Sequence, residues 1–422
     1  ASDVYKRQVF IYTIMIARIL IPIVLFSVLP YLWIDRQYLH VRKGWRKILY
    51  WLPVAIVIGY SSYLALGADF MPDDPMLIDI WFGMMAVLAV PQFVFALCSF
   101  AGWECMRLSR RYKQKQNKPS SHTSRNWGKL VGGVLAIVAF FSFIYGFTKG
   151  VRQFEVKHLT VYVPDLPKEF DGYRIVHFSD IHLGSFYGWR HDLPQRDIDS
   201  INAQHADLIC FTGDIQNVKP SELTPYHDLL SSLKAKDGVV SVLGNHDYTY
   251  YMHIDDDDLL AKKEMECRVQ DFERSCGWRL LMNEHIKLHR GKASIYVAGT
   301  ENYDKPKRTQ VAQALYGIKP GQFVLMLQHI PTQWKEMLPS TINEEHGSKD
   351  SVLVAPQLTL SGHTHAGQVS VLGLRPSMFA SFDYGLYERE GCQLYTTAGL
   401  GGTVPIRIGA TPEIAVITLK RK

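Results

Sequence analysis

Residues 174–182 read Arg-Ile-Val-His-Phe-Ser-Asp-Ile-His, an apolar run that ends in two side chains able to bind a metal ion. The run at 174–179 has the length and the β-branched content of a buried strand, and Asp180 and His182 follow it directly. Four further apolar runs end in polar turns, and they lie at 207–212, 239–243, 323–328 and 357–361. Short strands separated by helical segments predict an α/β fold.

The turns after these runs carry carboxylate, imidazole and amide groups. In chain order after His182, the side chains are Asp214, Asn245, His246, Asp247, His329, His363 and His365. In open α/β sheets the loops at the carboxyl ends of strands converge on one crevice, so these side chains are expected to meet in space. Each fragment alone is weak evidence, because Asp-x-His and His-x-His arise by chance. Five such turns in order favour one joint site over unrelated loop residues.

Other strands are predicted at 294–298 and 414–419, and helices at 192–204, 223–235 and 257–276. The acidic run at 255–258 would then lie at a helix N-terminus, where carboxylates suit the helix dipole. A calcium loop is the less favoured alternative, because the spacing and the glycine are wrong for it.

The first third of the chain contains apolar runs long enough to cross a bilayer as helices. They lie at 9–34, 48–66, 80–103 and 130–148. In the first run the charged end of Arg18 must reach the membrane interface, and Pro91 interrupts the third run. Buried helices of a soluble protein are the alternative, but those normally show a polar stripe that is almost lacking here. The predicted organisation is a transmembrane region of about four helices at 1–150 and a catalytic domain at 151–422. Residues 1–8 read like a cloning or assembly scar, and Met15 could be the natural start.

The loops predict the orientation in the membrane, because cytoplasmic loops carry an excess of Lys and Arg. Loops 35–47 and 104–127 are rich in Lys and Arg, whereas loop 67–79 has four Asp and no basic residue. Both basic loops should be cytoplasmic, which places residues 151–422 outside the cytoplasm. Lys149 and Arg152, just beyond the fourth run, argue weakly for the opposite orientation.

The 422 residues suffice for two or three domains, and the net charge of +6 is unevenly distributed. Residues 1–150 contain 17 Lys and Arg against 7 Asp and Glu, whereas the rest contains 29 against 33. The catalytic part therefore lacks the basic stripe of a nucleic-acid binder, and no nucleic-acid partner is expected. The six cysteines form no CxxC pair for zinc. A Cys267–Cys276 disulfide and two free thiols on one helix both remain open.

The five turns match the motif D-x-H, G-D, G-N-H-D, H and G-H-x-H, and the chain therefore resembles the calcineurin-like metallophosphoesterase family. Segments 277–284, 360–368 and 399–402 are similar to the bacterial membrane-attached or exported subgroup of the YkuE and YaeI phosphoesterases. The resemblance implies a four-layer sandwich of two mixed β-sheets flanked by helices, with two divalent metal ions at its rim.

The resemblance also implies roles for individual residues. One metal would be held by Asp180, His182, Asp214 and His365, and the other by Asp214, Asn245, His329 and His363, so that Asp214 bridges the two. Imidazole and oxygen ligands without thiolate suit Mn, Fe, Zn, Co or Ni.

Beside these ligands, His246 is expected to stabilise the transition state or protonate the leaving group, with Asp247 orienting its ring. Asn217 departs from the pattern, since many members have an acid at this position. It is expected to alter the polarity around the ligands rather than to bind metal.

The predicted function is a membrane-anchored dimetal phosphoesterase that hydrolyses phosphomonoesters or phosphodiesters by attack of a metal-bridging hydroxide. A lipid-linked or envelope phosphoester is the expected substrate. Segments 248–282 and 332–356 would line the entrance, where Tyr248, Tyr250 and Tyr251 could pack on an acyl chain or sugar, although ordinary loop packing is favoured. The choice of monoester or diester and the oligomeric state stay open.

Two other classes of function compete with the phosphoesterase. The alternative is a non-catalytic metal-binding or scaffold membrane protein, which absence of bound transition metal would favour; the set of ligands is complete, however. A transporter is disfavoured, because the clear spans contain no ionisable residue.

Overall fold

A computed structural model describes residues 19–68, 72, 74–116, 125–164, 166–252, 254, 257–347, 352–371 and 373–422. The expectations for the scar at 1–8, for Met15 and for Arg18 lie outside these residues, as does the first part of the run at 9–34. The chain divides into two compact units between Phe147 and Thr148.

The first unit is helical, and its helices form four stretches long and apolar enough to cross a membrane. The helices are α1 (Ile19–Leu39), α2 (Gly44–Ala68), α3 (Pro75–Met84), α4 (Val90–Lys115) and α5 (Trp127–Thr148). Helices α3 and α4 belong to one continuous stretch, Pro75–Lys115, joined by a wider π-helical turn at Met85–Ala89 just before Pro91. Proline lacks an N–H group, so a local widening of this kind accommodates it.

The loops between these helices are shorter than predicted. Helix α3 starts at Pro75 because Asp74 caps it, its carboxylate accepting a hydrogen bond of 2.9 Å from the Met76 N–H. Asp79 therefore lies buried in α3 rather than in a loop, which corrects the expectation that this stretch has no ionisable residue. The basic residues at 107–115 likewise lie on the last turns of α4. Asp69, Asp73 and Lys118 lie outside the described residues.

The second unit contains two mixed six-stranded sheets. In order across the first sheet, the strands are β1 (Glu155–Val163), β12 (Glu413–Arg421), β2 (Arg174–Phe178), β3 (Leu208–Phe211), β4 (Val239–Ser241) and β5 (Arg279–Leu280). Across the second, they are β10 (Gly385–Arg389), β11 (Cys392–Thr396), β9 (Leu358–Ser361), β8 (Val324–Leu327), β7 (Ala293–Gly299) and β6 (Glu284–Arg290). Strands β2 to β5 run parallel, as do β7, β8, β9 and β11. Strands β12, β6 and β10 each make an antiparallel pairing.

The two sheets pack face to face over an apolar layer in which residues such as Ile175 and Ile417 meet Val297 and Leu360. The outer face of the first sheet is covered by α6 (Leu193–Asn202), α7 (His227–Ser231) and α8 (Leu259–Ser275). The short helices α9 (Val311–Leu315) and α10 (Ile342–Glu345) cover the outer face of the second. The predicted four-layer sandwich is thus confirmed.

Most of the buried apolar strands were predicted, but the half-exposed strands β1 and β6 and the largely buried β11 were not. Strands β1 and β6 are absent from the prediction because their exposed edges alternate polar and apolar residues without a continuous apolar run. The helix expected at 223–235 is wrong, since only α7 and short 3₁₀ turns form there. Helix α8 is present, and the Asp258 carboxylate caps it by accepting from Ala261 N–H at 2.9 Å. Asp255 and Asp256 lie outside the described residues.

The six cysteines are unpaired. Cys267 lies in α8 and Cys276 is its C-cap, nine positions further along. Nine positions along a helix correspond to a rise of about 13 Å, which is too far for a disulfide.

Candidate metal centre

The loops after β2, β3, β4, β8 and β9 bring together all seven side chains predicted to bind metal. Two overlapping groups offer ligand atoms that lie within 4.8 Å of one another: one is Asp180, His182, Asp214 and His365, the other Asp214, His329 and His363. Asn245 joins the second group, because its Oδ1 lies 2.8 Å from His363 Nδ1. The assignment of these residues as ligands stays a prediction, but their convergence is a property of the fold.

Asp214 is common to both groups through a single oxygen atom. Its Oδ2 lies 3.5 Å from His182 Nε2 and 3.1 Å from His329 Nε2. Its Oδ1 instead accepts a hydrogen bond of 2.8 Å from the backbone N–H of His246. A bridging role would therefore fall to Oδ2 alone, and not to the two oxygens separately.

The backbone is strained at the site. Asp180, His182, Asp214, His363 and His365 all have positive φ, between 49° and 75°. This left-handed region is unfavourable for residues with a Cβ, and histidine visits it only occasionally. Five strained residues concentrated in one place are typical of a functional site whose surroundings enforce the geometry.

Two glycines allow the loops to approach this closely. A Cβ on Gly362 would lie 2.1 Å from Asp180 Oδ2, and one on Gly244 would lie 2.2 Å from Asp214 Oδ1. The space so left is used by hydrogen bonds, since the His363 N–H lies 3.0 Å from both carboxylate oxygens of Asp180. The glycines of the motif are therefore required by packing against the carboxylates.

Asp247 does not orient His246, which corrects the prediction. Its buried carboxylate accepts hydrogen bonds from four backbone N–H groups, those of Gly244, Asp214, Ile215 and Gln216, at 2.8, 2.7, 2.9 and 3.3 Å. Burial, together with the nearby Asp214 carboxylate, raises the pKa of Asp247 to about 7, while the N–H donors favour its ionised form. Asp247 thus ties the loop after β3 to the loop after β4.

His246 is held instead by Asn217 and Tyr251. Its Nδ1 lies 2.6 Å from the Asn217 carbonyl oxygen, which can only accept, so Nδ1 carries the hydrogen and Nε2 is turned to other partners. The phenol ring of Tyr251 stacks on the imidazole with centroids 4.0 Å apart and an angle of 6° between planes. Tyr251 Oη also accepts from Asn245 Nδ2 at 3.1 Å. The contribution of Asn217 therefore comes from its backbone, which its residue type does not reveal.

Three of the four histidines in the predicted ligand set have pKa values that favour neutral rings. Burial lowers the pKa of His182 to about 3 and that of His363 to about 4, and it holds the pKa of His365 well below its usual range. Burial would also lower the pKa of His329, but the Asp214 carboxylate outweighs it and raises that pKa. Neutral imidazoles present the lone pairs that a metal ion needs.

The donor set fits divalent cations. His182 is completely buried, yet neither of its ring nitrogens has a hydrogen-bond partner. His363 Nδ1 and His329 Nε2 lie only 3.3 Å apart, a separation typical of two ligands of one ion. His329 Nδ1 donates to the Thr212 carbonyl at 2.7 Å, and this hydrogen bond turns Nε2 towards Asp214. Histidines that bind metal ions are commonly oriented in this way, by a hydrogen bond from the ring nitrogen that does not bind the metal.

Sequence reasoning missed Arg407, which is 3% exposed beneath the site. Its guanidinium donates to the carbonyls of His365 at 3.0 Å and of Ala398 at 2.8 Å, and also to the Gly401 carbonyl. It thereby joins the loop that contains His365 to the Gly-rich segment at 399–402. No local pattern marks such a residue, because its partners are backbone carbonyl groups, which every residue has.

The tyrosines of the loop after β4 differ in their surroundings. Tyr248 is completely buried and donates to Glu301 Oε1 at 3.2 Å, so the expectation that it could pack on a substrate is wrong. Tyr250 is 55% exposed, and Tyr251 lies between it and His246.

Comparison with known proteins gives matches over both units. The family described as "Probable Calcineurin-like phosphoesterase, transmembrane domain" matches residues 17–151, and the family described as "Calcineurin-like phosphoesterase" matches residues 173–367.

Individual relatives extend over most of the chain. A transmembrane protein with metallophosphoesterase domain from Danio rerio is 27% identical over 90% of this chain and 81% of its own length. An uncharacterized metallophosphoesterase of Campylobacter jejuni is 26% identical over 90% of this chain and 91% of its own. The metallophosphoesterase YkuE of Bacillus subtilis is 28% identical over 65% of this chain and 90% of its own. Residues 173–367 thus match the calcineurin-like phosphoesterase family and residues 17–151 the transmembrane domain described for such proteins, so the chain is a membrane protein with a calcineurin-like metallophosphoesterase domain.

Proposed function

We propose that this protein is a dimetal phosphoesterase that hydrolyses phosphomonoesters or phosphodiesters at the candidate metal centre. The observation that carries the proposal is the sharing of Asp214 Oδ2 between two groups of buried ligands. A purely structural cluster of ion pairs would not require seven side chains to converge. It would also not leave buried imidazole nitrogens without hydrogen-bond partners, as this site does.

The two groups of side chains would each hold one cation: Asp180, His182, Asp214 and His365 the first, and Asp214, Asn245, His329 and His363 the second. Mn, Fe, Zn, Co or Ni suit this set of nitrogen and oxygen donors. When bound, two such ions supply an activated water and neutralise the charge on the phosphate oxygens.

His246 is the residue of this chain that we assign to proton transfer. The Asn217 carbonyl fixes the hydrogen on Nδ1, so Nε2 is the atom that exchanges a proton with the leaving oxygen. The His246 ring lies at the edge of the first group, with its centroid 4.8 Å from that of His182. It is partly exposed and can therefore reach a substrate.

Metal content and turnover of the full-length protein in detergent test the proposal together. We expect bound transition metal and hydrolysis of p-nitrophenyl phosphate or its bis ester, both lost in Asp214→Asn, and turnover alone lost in His246→Ala. Asp228→Asn, on a fully exposed side chain, is the matched control and should retain both. Full turnover in Asp214→Asn would refute the mechanism, and metal-free protein would favour a scaffold.

We further propose that residues 1–150 form the membrane anchor and residues 151–422 the catalytic domain, placed outside the cytoplasm. The excess of Lys and Arg near the ends of α1, α2 and α4 supports this orientation, in which a phosphoester of the membrane or envelope, such as a lipid-linked one, is the substrate. Alkaline phosphatase fused after Lys422 should be active, whereas green fluorescent protein fused there should stay dark. The reverse pattern would place the domain in the cytoplasm.

A further inference from the structure

A loop beside the candidate metal centre exposes apolar side chains at its tip. This rim loop covers residues 371–379 and follows the turn that contains His363. Four of its side chains are between 45% and 91% exposed, and they are Val371, Leu374, Met378 and Phe379. Among the large apolar side chains of the described residues, Phe379 is the most exposed. Exposed apolar side chains gathered in one place mark a contact site for another protein or for a membrane.

The base of the rim loop is fixed to the metal centre. Ser377 packs against Gly367, since a Cβ on that glycine would lie 2.9 Å from Ser377 Oγ. The same hydroxyl group donates to Asp383 Oδ2 at 3.0 Å, and the Arg375 guanidinium forms an ion pair with this carboxylate. The backbone carbonyl of Asp383 accepts a hydrogen bond from the Thr364 hydroxyl group, which belongs to the turn that carries the predicted ligands. The exposed apolar side chains are therefore held at a defined place on the rim of the site.

The rim loop contains no unpaired charge. Between residues 369 and 381 the sequence has one charged residue, Arg375, and the Asp383 carboxylate neutralises it. Leu372, which lies outside the described residues, is apolar as well. A loop of this composition can enter the interfacial region of a bilayer without carrying an unpaired charge into it.

The chain enters the second unit at the edge of the first sheet that carries the predicted ligands. Strand β1 begins at Glu155, which pairs with Glu413 of β12. Strand β12 runs antiparallel to β2, with Ala415 beside His177. The start of β1 therefore lies at the edge where β2 ends and where Asp180 follows.

The connection from the last apolar helix to this edge is short. Residues 149–154 separate the end of α5 from the start of β1. Fully extended, this segment spans at most about 25 Å, because an extended chain covers about 3.5 Å per residue. Since α5 is long and apolar enough to cross a membrane, the connection ties the ligand-bearing edge close to the bilayer surface.

We propose that the rim loop inserts its apolar side chains into the bilayer in which the chain is anchored, and so holds the metal centre against phosphoesters at the membrane surface. The contact itself needs no catalysis, whereas the choice of membrane phosphoesters as substrates rests on the proposed function. A bilayer suits the loop better than a second copy of this chain does, because the short connection keeps lipid permanently near this edge, whereas a second copy must be recruited.

Photo-crosslinking tests the membrane contact without turnover. The full-length protein, in nanodiscs of phosphatidylcholine and phosphatidylglycerol, carries p-benzoylphenylalanine in place of Phe379 or, as the matched control, in place of Tyr162. Tyr162 is an aromatic side chain of 58% exposure near the end of β1, at the opposite edge of the sheet. We expect lipid adducts in the intact mass for position 379 and only background for position 162. Equal adduct yields at the two positions, or a cross-linked dimer in place of lipid adducts, would overturn the inference.

Hydrolysis of lipid esters tests the consequence for the substrate. In the Leu374→Ser/Phe379→Ser double variant, kcat/KM for phosphatidic acid or phosphatidyl-p-nitrophenol in the same nanodiscs should fall about tenfold, because membrane binding scales with the buried apolar area. Turnover of p-nitrophenyl phosphate and its bis ester should stay unchanged, and Tyr162→Ser should alter neither quantity.

Two results would overturn the assignment of membrane phosphoesters as substrates. One is a double variant that hydrolyses the lipid esters as fast as the unaltered protein, and the other is hydrolysis of the soluble esters alone. If no ester of either kind is hydrolysed but lipid adducts still form at position 379, the proposed function fails and the membrane contact stands.

Discussion

Replacing Asp247 by asparagine tests how the two central loops of the site are held together. The substitution keeps the shape of the side chain but leaves only one oxygen for four backbone N–H donors. Two of these donors would face an amide N–H group and lose their partners in a buried position. Each buried N–H left without an acceptor costs about 1–3 kcal/mol. Asparagine also removes a buried charge, whose cost raises the pKa of Asp247 to about 7 and offsets part of this loss. Asp247→Asn should therefore lower the free energy of unfolding by about 2 kcal/mol.

Thermal unfolding and metal content provide two independent readouts of this loss. A change of this size corresponds to a fall of roughly 5 °C in Tm for a domain of this length. Because Asp214 is one of the residues that Asp247 holds, metal affinity should also fall, by about 10- to 100-fold as for other partners of metal ligands. Asp271→Asn makes the same chemical change on a side chain that is 76% exposed, and it should alter neither quantity.

The outcome that refutes this reasoning is a Tm and a metal content for Asp247→Asn that match those of Asp271→Asn. The four donors would then have found other acceptors, and the carboxylate would not be what joins the loops. Loss of metal without a change in Tm would limit its role to the position of Asp214.

Three further substitutions are informative. Tyr251→Leu should lower kcat by about tenfold with little change in KM, because the His246 ring loses its stacking partner. Tyr251→Phe keeps the stack and should retain most of the turnover, and equal losses in both variants would point to the hydroxyl group instead. Burial raises the pKa of Glu273 well above 4.5, so the stability that this carboxyl group contributes is complete below pH 4.5 and is lost as the pH rises. The Tm of Glu273→Gln relative to the unaltered protein should therefore rise from pH 5 to pH 8, and a Tm difference that does not change with pH would contradict this. Arg407→Lys should lower the free energy of unfolding by about 3 kcal/mol, because a lysine cannot donate to the same carbonyl groups. An unchanged unfolding curve would show that these carbonyl groups need no donor.

Much of the fold and the convergence of the predicted ligand residues could be read from the sequence, because the buried strands are local apolar runs and the polar turns follow them. Strands such as β3 and β8 are short and fully buried, and a predicted ligand follows each of them within three residues in the chain. Strand β1 escaped prediction because it has one exposed side and no continuous apolar run, whereas β11, which was also missed, is largely buried. The position of β1 depends on pairing with residues more than two hundred positions away.

The supporting residues of the site could be predicted less well than the ligands. His246 is held by a backbone carbonyl and a stacked ring, and Asp247 binds four backbone N–H groups rather than the neighbouring imidazole. Adjacent residues in a turn point in different directions, so proximity in sequence did not identify the partner. Arg407 was missed for the related reason that its partners are carbonyl groups, which every residue has.

The pairing of β1 with β12 has a consequence for the order in which the domain is assembled. Strand β1 follows the last apolar helix, yet its partner in the sheet is β12, which the ribosome makes some 250 residues later. Until then, β1 leaves the membrane with its hydrogen-bonding groups open to solvent or to a foreign strand. The first sheet can close only after residues 413–421 have been made. A nascent chain interrupted before them should therefore expose the unpaired edge of β1 and be a target for quality-control proteases.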